Sequence, residues 1–166
     1  MDVLPTLELL AEISIGLIGF AGVVSALGRS TLQTEVRMFR TKALLFNSGN
    51  ALLSSLIPLV LVHYDISETT LWFASGLAIL SFMAISLGWV LMGIKNLLAN
   101  GEIPPLATLL LVLIAFCVVI ALLYGLFLAP ALLTTIYLTA VFWALAMGVF
   151  HFCMLVISIE FPEQTP

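Results

Sequence analysis

Charge is scarce in this sequence. Asp, Glu, Lys and Arg make up only 8% of its 166 residues, against ~25% in a typical soluble domain, and that shortage excludes water as the main solvent of the chain. Cysteine is nearly absent as well. Cys117 and Cys153 both fall inside apolar runs, where a thiol packs as a small hydrophobe, so neither a disulfide framework nor a zinc site has a pattern to rest on. No cofactor box, nucleotide loop or catalytic constellation stands out. The reading is therefore non-enzymatic, with no cofactor, metal or nucleic-acid partner expected.

Apolar residues are abundant, at 63% of the chain with a mean hydropathy of +1.26. They gather into five runs: Leu7 to Leu27, Ala43 to Val62, Leu71 to Ile94, Leu106 to Leu128 and Ala131 to Ile159. Each is long enough to cross ~30 Å of hydrocarbon as a helix. The runs are continuously apolar, without the alternation of a transmembrane strand. The expected fold is all-α, a single transmembrane domain of five spans over residues 1–166, with no room for a domain outside the lipid bilayer. The N-terminus carries Asp2, Glu8 and Glu12 rather than Lys or Arg, so the first run reads as a span, although Val24-Ser25-Ala26 has the look of a cleavage site.

Direction follows from the basic residues. Arg29, Arg37, Arg40 and Lys42 lie between runs one and two, and Lys95 between runs three and four. Both loops are expected in the cytoplasm, which puts the N-terminus outside and the C-terminal tail inside. The turn from Tyr124 to Pro130 reads as a tight hairpin between helices, with a re-entrant element as the competing reading. Tyr64, Trp72 and Tyr124 would mark one interface and Trp89 the other. Ser30 and Gln33 have capping-box spacing, and Leu32, Val36 and Phe39 repeat at helical spacing after them, so run two is expected to start early. Arg37 and Arg40 then reach the lipid headgroups, either by simple snorkelling or as a basic collar that binds anionic lipid or a partner.

Polar residues inside the runs are the candidates for function. Glu8 and Glu12 share one face of run one, which continues through the small residues Gly16, Gly19 and Gly22. One reading is a helix-packing seam whose acids reach outward to the headgroups. The other is a cation- or proton-attracting pair near the outer mouth of a bundle or ring. In run two, Asn47, Asn50 and Ser54 share a face, and Pro58 lacks the amide that would bond the Ser54 carbonyl, so a kink is expected. Those groups either bond to neighbouring helices or continue a hydrated path from Glu12. His151 in run five is a hydrogen-bonded structural residue or a proton relay. Run four, apolar nearly all round, is the expected lipid-facing helix.

The stretch Leu10-Ala11-Glu12-Ile13-Ser14-Ile15-Gly16-Leu17-Ile18-Gly19-Phe20-Ala21-Gly22-Val23-Val24, followed by Ala26-Leu27-Gly28-Arg29, resembles the opening of a group of small uncharacterised bacterial polytopic integral membrane proteins. The resemblance covers about the first third of the chain and implies a bacterial inner-membrane setting, with no activity attached. Two functions are expected to compete. The first is a self-associating homo-oligomer that conducts or translocates cations or protons along runs one and two. The second is a structural or accessory subunit that binds another membrane protein or lipid.

Overall fold

The computed structural model describes residues 3–27, 35–99 and 105–160. The five runs are five α-helices: α1 (Leu4–Leu27), α2 (Glu35–Leu61), α3 (Glu68–Ala99), α4 (Pro105–Phe127) and α5 (Leu133–Glu160). No strand occurs among the described residues. Every helix contains a segment of 20 to 28 residues long and apolar enough to cross a membrane. At 1.5 Å per residue even the shortest covers about 30 Å.

The ends of the helices follow local chemistry. Pro5 stands in the first turn of α1, where its missing amide costs nothing, and α2 begins at Glu35 rather than Ala43. The proposed cap at Ser30 and Gln33, with Leu32, lies outside the described residues. Ser67 caps α3, its hydroxyl accepting from the Thr70 amide at 3.3 Å, with Glu68 in the first turn where the helix dipole favours an acid. α2 runs through Pro58 without a break to Leu61.

The turn between α4 and α5 is a tight hairpin. The Leu128 and Ala129 amides both donate to the Tyr124 carbonyl, at 2.8 and 3.0 Å, and a single 3₁₀ turn at Pro130–Leu132 leads into α5. Gly125 makes this closure possible. A Cβ there would lie 2.9 Å from Ile136 Cδ1 and 3.5 Å from the Leu133 Cα, so a larger residue would wedge the two helices apart. With α4 and α5 as two separate membrane-length helices, the re-entrant reading is not needed.

α2 is the hub of the bundle, packing along α1, α5 and α3, whereas α4 leans on α3 and α5 and makes no extensive contact with α2. The reason is residue size. Ala43, Ser48, Ala51, Ser54 and Ser55 of α2 are all buried, and small side chains let neighbouring backbones approach. α4 has the opposite character: among its residues of described burial, the buried ones, Leu122, Gly125 and Leu126, lie at its C-terminal end, and the others are largely outward-facing, as its all-round apolarity predicts. Tyr137 is fully buried, with Trp72 edge-on at 5.7 Å. Trp72 is thus a core residue rather than an interfacial anchor, while Tyr64 and Tyr124 stay exposed.

Trp89 is held differently. It stacks on Phe39 at 5.4 Å and on Phe46 at 5.1 Å, two rings seven residues apart on α2. A Cβ on Gly93 would meet Phe39 Cε2 at 2.6 Å, so α3 approaches α2 through that glycine. Gly93→Leu is expected to push Phe39 off Trp89 and shift the emission maximum of a chain in which Trp89 is the one tryptophan. An unchanged spectrum would count against this packing.

Candidate functional site

α1 has two distinct faces. Leu7, Leu10, Ala11, Ser14, Leu17 and Ala21 are buried against the bundle, and Ser14 donates to its own Leu10 carbonyl at 2.7 Å. Glu8, Glu12, Gly16, Gly19 and Gly22 are exposed on the other side. The apolar span of this helix is Leu4–Val24, so Glu12 lies two residues from its midpoint, about 3 Å along the axis. Glutamate is shorter than the Lys and Arg chains that snorkel, and an ionised side chain at that depth costs at least about 2.5–3.5 kcal/mol if it meets lipid.

The expected packing seam is not used inside the chain. A Cβ on Gly16, Gly19 or Gly22 would meet nothing within 4 Å, because the face that carries them points away from α2 and α5. The glycines at real helix contacts are Gly76, Gly93, Gly125 and Gly148. Periodicity identified a small-residue face on α1, but a single helix pattern cannot say which side meets the bundle.

The polar face of α2 turns inward, and its groups are satisfied mostly within their own helix. Asn47 Nδ2 donates to the Ala43 carbonyl at 2.8 Å, and Ser54 Oγ donates to Asn50 Oδ1 at 3.3 Å. These bonds replace the interhelical ones anticipated for the side chains. The helix-to-helix bond runs through the backbone instead: the Tyr137 hydroxyl donates to the Ser54 carbonyl, the acceptor that Pro58 leaves without an amide. The pairing of Tyr137 with Ser54 is the structural contact that sequence reasoning missed. Pro58 flagged the orphan acceptor, but no spacing rule links position 54 to position 137.

Glu8 and Glu12 are therefore not brought together with Asn47, Asn50 and Ser54. The acids face outward from α1, and the amides face the interior. A lumen joining the two sets through one chain is not formed.

A cavity of about 170 Å³ lies where α4 stands off from α2. Arg40, Asn47 and Asn50 of α2, Ser86 of α3, Thr108 of α4 and His151 of α5 supply its polar lining. Arg40, Ser86, Thr108 and His151 lie toward the helix ends at Glu35, Ala99, Pro105 and Glu160, and Asn47 and Asn50 lie near the middle of α2. His151 is flanked by Phe39 at 6.4 Å and Phe150 at 5.5 Å, both edge-on. Its Nδ1 is buried away from any water-sized space with no hydrogen-bond partner, as are the hydroxyls of Ser48, Ser55 and Ser75. The structural reading of His151, as a hydrogen-bonded residue, does not hold for that nitrogen. Arg37 and Arg40 are half-buried.

Five membrane-length helices around a polar hub make this a polytopic helical membrane protein. No family model, curated protein or solved structure matches the chain.

Proposed function

We propose that the chain is a non-enzymatic integral membrane protein of a bacterial inner membrane that associates with copies of itself through the outward face of α1, and that Glu12 and Glu8 attract cations or protons at that interface. The position of Glu12 carries this reading: it is close to the midpoint of its span on a face that no other described helix covers. Lipid is the least favourable neighbour for it. A second copy would shelter the carboxylates, and the groove at Gly16, Gly19 and Gly22 would let the helices approach. Any cation path then runs between subunits, lined by α1, while Asn47, Asn50 and Ser54 hold each subunit together. The basic loops support an outside N-terminus and a cytoplasmic C-terminus.

Two measurements test the proposal. Light scattering on the detergent-solubilised protein is expected to give an oligomer that Gly16→Leu with Gly19→Leu converts to monomer, and Glu12→Gln is expected to leave assembly intact. In proteoliposomes the same Glu12→Gln change is expected to abolish cation flux. Equal flux from both proteins, or none from either, removes the transport role and leaves an accessory subunit. A wild-type monomer removes self-association.

A further inference from the structure

We infer that the cavity between α2 and α4 holds one acyl chain of an anionic membrane phospholipid, with the lipid phosphate at Arg40. This site is separate from the outward face of α1 and does not depend on it.

Its dimensions select an acyl chain. Measured along the helices, the lining runs from Val36 to Asn50 on α2, from Met83 to Ile94 on α3, from Thr108 to Val119 on α4 and from Trp143 to Met154 on α5. At 1.5 Å per residue these stretches give about 17–21 Å, one leaflet of a hydrocarbon core ~30 Å thick together with part of its headgroup layer. The cavity thus follows one leaflet from its interface to the bilayer centre. Its volume of about 170 Å³ is on the order of ten times what a single water needs. The walls between the two ends are apolar, with Met83, Leu87, Leu111 and Met147 among them, and methionine adapts to an irregular flexible guest. The two asparagines offer less polarity than their names suggest, because Asn47 Nδ2 and Asn50 Oδ1 are already bonded within α2.

The head end selects an anion. Arg40 lies near the headgroup end of the lining, one turn inside Val36, on the stretch that also carries Arg37 and Lys42. Arginine matches a phosphate with paired donors. The neighbouring Phe39 ring meets the His151 ring edge-on at 6.4 Å, which places both rings beside Arg40 at that end of the lining. The gap also opens in the right place, since α4 has no buried residue before Leu122 among those whose burial is described, and the lipid can enter sideways beneath the N-terminal half of that helix.

The test uses the full-length chain, stripped of lipid in detergent and titrated with phosphatidylglycerol or phosphatidylcholine of identical tails under native mass spectrometry. One phosphatidylglycerol is expected to bind with about fivefold preference, the contribution of one basic residue near an anionic surface, and Arg40→Gln is expected to abolish the preference. Ala115→Phe, which fills the cavity wall, is expected to abolish retention of the bound lipid. Phosphatidylglycerol brominated on its tails should quench Trp143, which lines the cavity, in a Trp72→Phe, Trp89→Phe chain more strongly than the brominated choline lipid. Equal binding of the two lipids overturns the proposal, as does selective binding of a free fatty acid alone. If Ala115→Phe does not fold, the Arg40→Gln titration and the quenching comparison still decide it.

Discussion

Tyr137→Phe destabilises the folded chain by about 1–3 kcal/mol, the cost of leaving a buried acceptor without its donor. The hydroxyl removed is the one that donates to the Ser54 carbonyl, and that carbonyl has no other helical partner because position 58 is proline. Surrounding packing is preserved, since phenylalanine keeps the ring against Trp72. The decisive comparison is a double-mutant cycle. Pro58→Ala returns an amide four residues beyond Ser54, so Tyr137→Phe should cost markedly less in that background, with a coupling of about 0.5–3 kcal/mol. Reversible unfolding in mixed micelles measures all four chains. A tyrosine penalty of equal size with and without the proline would mean that the hydroxyl does not serve that carbonyl.

Gly148→Leu is expected to force α2 and α5 apart, at about 1–3 kcal/mol or more for overpacking a tight contact. A Cβ at position 148 would lie 2.7 Å from Ser48 Oγ, while its next neighbours, Leu17 Cδ1 and the Ser48 amide nitrogen, stand at 3.6 Å. One atom accounts for the conflict. Gly148→Ala should therefore destabilise in the wild-type chain and become nearly neutral beside Ser48→Ala. Ser48→Ala alone should be harmless or stabilising, because its buried hydroxyl has no partner to lose. If the Gly148→Ala penalty persists in the Ser48→Ala chain, backbone separation rather than the hydroxyl sets the limit.

Much of the fold could be read from composition and run length, because the bilayer imposes a helix and a span length on any long apolar segment. The tight turn at Gly125 and Pro130 was readable for the same local reasons, as was the early start of α2. Rotation of each helix about its axis was not. Run one displays acids and glycines on one face and leucines on the other, and lipid, protein and a second copy are each compatible with either until the neighbours are known. The leucine face meets α2, and the face that looked built for packing is the one left open. Trp72 illustrates the same difficulty, since a tryptophan near a span end suits both an interface and a core. The cavity beneath α4 was illegible for a further reason: it arises from four helices at one depth, and no single segment carries its pattern.

The bond between Tyr137 and the Ser54 carbonyl also has a consequence for biogenesis. α2 ends at Leu61, and its donor arrives 76 residues later, an interval of about 4–15 s at ~5–20 residues per second of synthesis. Throughout that interval the nascent second helix holds an unquenched acceptor that hydrocarbon cannot serve. Until the last helix emerges, water, a nearby hydroxyl or a local backbone adjustment has to serve that carbonyl, and the arrival of Tyr137 replaces the stand-in with a permanent donor.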